Sequence, residues 1–208
     1  MKTRALIDTS ALTNNLALIR MLAPNNPILA IVKADAYGHG AIGLLPTIAQ
    51  HSNALAVARL EEAKTLRDAN YVGRMILMCG VSNMAELSAA IAWQLDIVVH
   101  DPVHLSLLAA HAYHAPHKTN IWLKMDSGMH RLGFHSAHYV NAFQQIRALP
   151  WCGEIIGMTH FSCADEPEKN TTAEQIHCYA QHTKKLALDN HSLANSAGIL
   201  AWPAAHRG

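Results

Sequence analysis

Lys33 is the only charge at the end of an apolar run, in AIVKADAYGHG (residues 30–40). A lysine there has two readings. It can snorkel to solvent as a surface charge, or it can be a desolvated amine placed to attack a carbonyl. Tyr37 follows four residues on, and Gly38 and Gly40 let backbone approach a ligand closely. Polar, reactive side chains recur directly after later apolar runs: Arg59, Lys124, Asp126, His160 and Asn195. Arg131 is either a solvated loop charge or a fork that fits a carboxylate. His160 is either a satisfied core histidine or a ring used in chemistry. Ser196 is either a strand-end cap or a ligand contact. His160 and Cys163 as a metal pair lack a second spaced pair, so no metal is expected.

A competing signal lies in the same stretch. Gly38, Gly40 and Gly43 spell G-x-G-x-x-G, with Glu61 and Glu62 about twenty residues on, as in a dinucleotide-binding fingerprint. In that fingerprint the first glycine follows the strand at once. Here KADAY intervenes, so a glycine-rich strand-to-helix turn is the preferred reading.

The elements that must position these residues alternate. Apolar strand-like runs lie at Ile28–Val32, Ala54–Ala58, Met75–Met78, Ile97–Val99, Asn120–Met125, Glu154–Thr159 and Ser192–Ser196. Helical spacing occupies Ala41–His51, Leu60–Asn70, Asn83–Trp93, Pro102–His114, Ala137–Leu149 and Thr172–Asn190. Pro102 and Pro46 suit the first turn of a helix, and Asn83 with Glu86 forms an N-cap signature. Strand-then-helix alternation implies a parallel sheet with helical crossovers. Seven strand candidates leave both an eight-stranded barrel and an open doubly wound sheet in play. In either, ligands sit at the carboxyl ends of the strands, where the reactive residues fall.

Composition narrows the class. The 208 residues are 50% apolar with a net charge of +1, enough for a sizeable core and without a general pull toward nucleic acid or membrane. Cys79, Cys152, Cys163 and Cys178 form no CxxC, and the start MKTR runs into Asp8 and TSALTNN without a signal-peptide core. A cytoplasmic protein with reduced thiols is expected.

Four blocks carry a family resemblance. AIVKADAYGHG resembles the pyridoxal 5'-phosphate (PLP) lysine motif of the alanine racemases. LKMDSGMHRLGF (residues 123–134), MTHFSCADE (158–166) and LANSAG (193–198) resemble three further signatures, in the family's order. The closest look is to the proteobacterial type. The resemblance implies a TIM-like (β/α)8 PLP-binding barrel domain over residues 1–208. It implies that Lys33 holds the cofactor covalently and acts as one acid/base. Tyr37 and Ser196 would reach its phosphate, and His160 would lie against the pyridine face. Arg131 would bond the phenolic oxygen and approach the substrate carboxylate. Lys124 would be carbamylated to orient Arg131, and Asn195 would support the lysine and phosphate region. The implied reaction interconverts L- and D-alanine by two-base proton transfer, for peptidoglycan or alanine catabolism, in a cytoplasmic homodimer.

The family pattern continues past LAWPAAHRG with a last barrel strand and a β domain that carries a tyrosine, the second acid/base. The expectation is therefore a barrel truncated to about seven strands, without the β domain and with little or no racemase activity of its own. The alternatives are a single-domain PLP-binding homeostasis protein and a non-catalytic remnant.

Overall fold

Residues 5–112 and 116–207 are described by a computed structural model, and they fall into two units divided after Cys79. The first unit opens with α1 (Thr9–Leu22), which the sequence reading passed over as a polar run. Asp8 starts it by accepting from the Ser10 and Ala11 amides at 2.8 and 3.1 Å. Then come β1 (Leu29–Ile31), a short turn α2 (Lys33–Gly38), α3 (Ala41–His51), β2 (Ala54–Val57), α4 (Leu60–Asp68) and β3 (Met75–Leu77). β1, β2 and β3 pair in parallel, with Leu29 opposite Ala54 and Leu55 opposite Met75. The side chains of β2 and β3 are buried on both faces, which is why these strands read as continuous apolar runs. α3 turns Ala41, Leu44 and Ile48 inward, and α4 turns Ala63 and Leu66 inward. Pro46 is not in a first turn: it lies inside α3, where its ring removes one ladder hydrogen bond.

The second unit holds α5 (Met84–Ala92), β4 (Leu95–Val99), α6 (Pro102–Ala110), β5 (Thr119–Asp126), β6 (Phe134–His135), α7 (Ser136–Arg147), β7 (Cys152–Met158), α8 (Thr171–Thr183), β8 (Asn190–Ser192) and α9 (Ser196–Ala201). The starts of two helices follow the sequence. Asn83 accepts from the Glu86 amide at 2.9 Å, and Glu86 accepts in turn from the Ser82 amide at 2.7 Å. Asp101 caps α6 through the Val103 amide at 2.8 Å, with Pro102 at the first position. The expected end of that helix, His114, lies outside the described residues, as do residues 1–4 and Gly208.

Within this unit β4, β5, β7 and β8 pair in parallel, and β6 adds a two-residue pairing to the end of β5. Two expectations are corrected here. The helix expected to reach Asn190 ends at Thr183, and Asn190–Ser192 is a strand. The strand expected over Ser192–Ser196 is therefore shifted toward the N-terminus, and Ser196 begins α9 instead. The reason is register: Ile156, Gly157 and Met158 of β7 take Asn190, His191 and Ser192 as partners, and the Asp189 amide bonds the Ile155 carbonyl at 3.0 Å. These backbone bonds select a polar segment that shows no apolar period.

Behind the sheet, two buried tyrosines end on polar partners. The Tyr139 hydroxyl donates to the Leu123 carbonyl at 3.0 Å, and the Tyr179 hydroxyl bonds the His191 ring at 2.9 Å. Burial, together with its neighbour Tyr179, pushes the Tyr139 hydroxyl well above the ordinary phenol range.

His104 of α6 is buried, and its Nδ1 accepts from the His100 amide at 3.3 Å. Burial, then His100, lowers its pKa from 6.5 to about 4, against a smaller opposing pull from Asp101. The unfolded chain therefore binds this proton first as pH falls, so stability is full above pH 6.5 and is lost toward pH 4. The expected loss is roughly 1–2 kcal/mol after allowance for solvent screening. Melting curves between pH 7 and pH 4 should be flatter for His104→Asn, whose side-chain oxygen can replace Nδ1. Equal pH slopes for both proteins would overturn the assignment.

Candidate active site

In the first unit, Lys33 follows β1 and is half-buried. Its Nζ lies 5.7 Å from the centre of the Tyr37 ring, so the structure brings these two candidates together. The backbone that joins them is unusual. Ala34, Asp35, Ala36 and Tyr37 have φ of 50, 54, 53 and 56°, a left-handed turn built from four residues that all carry a Cβ. Left-handed backbone costs roughly 1–2 kcal/mol per such residue, so the run stores roughly 4–8 kcal/mol. That is comparable with the net stability of a typical domain, so other contacts must hold it.

Those contacts are visible. The Ala36 amide bonds the Val32 carbonyl at 2.9 Å, and the Gly40 amide bonds the Asp35 carbonyl at 3.0 Å. Asp35 Oδ1 accepts from the Ala41 amide at 2.7 Å at the start of α3. His39 Nδ1 donates to the Ala36 and Tyr37 carbonyls at 2.9 and 3.1 Å. Glu62 accepts from the Ala34 amide at 2.8 Å with one oxygen. With the other it accepts from the Ala58 and Arg59 amides at 2.7 and 3.2 Å. A Cβ built at Gly38, Gly40 or Gly43 would meet nothing within 4 Å, so the glycine segment after Lys33 is uncrowded.

In the second unit, Lys124 sits at the end of β5, buried, opposite Met158 of β7. The loop after it is built around Asp126. One Asp126 oxygen accepts from the Gly128 and His130 amides, both at 3.0 Å, and the other meets the His130 ring at 3.2 Å. Partial burial pushes the Asp126 carboxyl up, but the two amides and the His130 ring outweigh it and hold it below the usual range. This loop presents Arg131 at the surface, as β6 returns the chain alongside β5.

His160 is half-buried after β7. Its carbonyl accepts from Gln175 Nε2 at 3.1 Å, while Gln175 Oε1 takes the Ser162 amide at 3.0 Å. Next to it the hydroxyls of Ser127 and Thr159 lie 2.7 Å apart, and Thr159 donates to the Met125 carbonyl at 3.0 Å. The loops after β5 and β7 are thus tied to each other and to α8. Asn195 caps α9 by accepting from the Gly198 amide at 2.8 Å, and Ser196 is exposed at the first position of that helix. In each unit the candidates therefore fall at the carboxyl ends of parallel strands.

Sequence reasoning missed Glu62 and Gln175. In the sequence Glu62 stands out only through its spacing from the G-x-G-x-x-G pattern. A Glu three residues after a helix start was its one local sign; nothing local indicated that it reaches Ala34.

Comparison with known proteins places this architecture. The family model described as "Alanine racemase, N-terminal domain" matches residues 7–207. The chain belongs to the alanine racemase N-terminal domain family. An alanine racemase of Shewanella amazonensis is 40% identical over 206 residues, covering 96% of this chain and 56% of that protein. The solved biosynthetic alanine racemase of Pseudomonas aeruginosa superposes with a TM-score of 0.91 at 36% identity, covering 97% of this chain and 55% of that one. A histidine racemase of Leuconostoc mesenteroides shares the fold alone, with a TM-score of 0.81 at 23% identity. The chain spans little more than half the length of the alanine racemases it matches. Strand order and parallel pairing in each unit are those expected of the family's TIM-like α/β barrel, with seven main strands among the described residues. No helix among the described residues is long and apolar enough to cross a membrane, and none of their side chains cluster as a metal site.

Proposed function

We propose that this chain holds PLP through Lys33 and supplies one acid/base of an alanine racemase. The supporting observation is the left-handed turn that fixes Lys33 beside Tyr37, followed by an uncrowded glycine segment, in a chain of this family. By residue type, the positions that match the family's motifs suit the cofactor: an amine at Lys33 for its aldehyde, hydroxyls at Tyr37 and Ser196 for its phosphate, a ring at His160 for its pyridine face, and a guanidinium at Arg131 for its phenolic oxygen. When bound, PLP makes the substrate α-hydrogen acidic by conjugation.

The protein's own groups do the rest. Lys33 takes or returns the proton on one face of the α-carbon. Arg131 approaches the substrate carboxylate with its planar fork. Lys124, once carbamylated, presents a carboxylate that orients Arg131, and Asn195 steadies the lysine and phosphate region. A cytoplasmic homodimer acting on L- and D-alanine completes the reading.

The test is solvent deuterium uptake at the α-carbon of alanine by the PLP-loaded chain. One enantiomer should exchange faster than the other, because the matched residues supply an acid/base on one face. Inversion by these 208 residues alone should be slower than in the longer alanine racemases they match by about 10²–10⁴-fold, the scale of removing one positioned acid/base. No exchange by a folded, loaded chain would reject the proposal, and equal rates for histidine and alanine would reject alanine as the substrate.

A further inference from the structure

We infer that Glu62 is a positioning residue for Lys33: its carboxylate fixes the peptide that follows the lysine and thereby aims the amine. The inference rests on the reading of Lys33 as the PLP lysine. On the strand side, the Val32 amide bonds the Ala56 carbonyl at 2.9 Å, so the backbone entering Lys33 is held by β2. On the other side, Glu62 Oε1 holds the Ala34 amide at 2.8 Å. The same carboxylate holds the Ala58 amide at 2.7 Å and the Arg59 amide at 3.2 Å through Oε2. Lys33 is thus bracketed by two anchors, one in β2 and the other in the first turn of α4.

The bracket sits where the backbone most needs one. Ala34 is the first of the four left-handed residues, and alanine left to itself favours the right-handed region. If the Ala34 amide were released, the segment could relax and rotate the Lys33 side chain away from Tyr37. A carboxylate suits the task because it accepts at both oxygens and is favourable in the first turn of a helix. A carboxamide cannot replace it, since one end would turn a donor toward an N–H.

Glu86 provides an internal comparison. It makes the same kind of first-turn contact, to the Ser82 amide at 2.7 Å, in a segment with no lysine. A purely structural cap and a positioning cap can therefore be told apart in one molecule.

The experiment uses the 208-residue chain as wild type, Glu62→Gln, Glu62→Ala and Glu86→Gln. Each is titrated with PLP, reduced with borohydride and peptide-mapped, with thermal melts and amide hydrogen exchange in parallel. Wild type and Glu86→Gln should label at Lys33 with equal affinity. Both Glu62 variants should lose roughly ten- to a hundredfold in capture at Lys33, the scale of a misplaced reacting group. Amides 34–38 should exchange faster in the Glu62 variants, while their melting temperatures stay close to that of Glu86→Gln. Unchanged capture at Lys33 would overturn the inference, as would a Glu62→Gln chain that no longer folds, because Glu62 would then be a folding element. Exchange needs no cofactor. Faster exchange without any Lys33 labelling in wild type would therefore leave the bracket standing and reject the PLP-lysine reading, and with it this role.

Discussion

Replacing Lys33 with alanine is expected to abolish specific capture of PLP by this chain. The chain has eight lysines, and PLP condenses weakly with any exposed amine, so the site of attachment is the informative quantity. Most of the others are ordinary charges; Lys64 and Lys169, for example, are paired with Asp68 and Glu166 on exposed helix or loop surface. Lys33 differs in being half-buried at a strand end and held by strained backbone beside Tyr37. Borohydride reduction of the loaded wild type should place the label on Lys33. Lys33→Ala should retain only diffuse labelling, and Lys33→Arg should behave the same way, because it keeps the charge but not a condensing amine. Neither substitution removes a core side chain, so stability should move by only about 0.5 kcal/mol. A label that persists at one defined position in Lys33→Ala would place the cofactor elsewhere and remove the basis of the proposed function.

Gly133→Ala should be the most destabilising of the glycine substitutions in the two matched signature loops. Gly133 has φ of 133°, in a region where a Cβ is strained. Its added Cβ would meet the Asp126 amide nitrogen at 2.5 Å and the Met125 carbonyl carbon at 2.7 Å. These are backbone atoms, so no side chain can swing aside. Nor can the strands separate cheaply, because Met125 pairs with Phe134 and Asp126 with His135. Overpacking and backbone strain together should cost about 3 kcal/mol or more. For a chain of this size that corresponds to a fall of roughly 10 °C in melting temperature.

Gly38→Ala and Gly40→Ala are the controls. Their φ values of 81 and 87° also disfavour a Cβ, but it would meet nothing within 4 Å. They should cost only about 1 kcal/mol each. Equal melting temperatures for Gly133→Ala and Gly38→Ala would show that the β5–β6 contact is not tight. Because Asp126 also holds the Arg131 loop through Gly128 and His130, Gly133→Ala should release that loop as well, seen as faster exchange of the Gly128 and His130 amides.

The parts of this protein that the sequence determined by itself are those whose physics is local. β2 and β3 are buried on both faces, and double burial leaves a continuous apolar run that can be read without neighbours; in β4 the legible run is Ile97–Val99, after the buried Asp96. The caps at Asn83 and Asp101 work within three residues, so their side chains and partners lie in one short window. The four motif blocks are likewise contiguous, and they were enough to indicate the family. Tertiary structure decided what depends on distant partners. The polar strand β8 exists because β7 supplies its hydrogen bonds, not because Asn-His-Ser prefers to be extended. KADAY gives no local sign of left-handed backbone, since its alanines favour the opposite hand. The turn persists because a network holds it, including a carboxylate 28 residues away in sequence at Glu62. Local propensity sets the conformation only where no stronger partner is near, and at Lys33 the partners outweigh it.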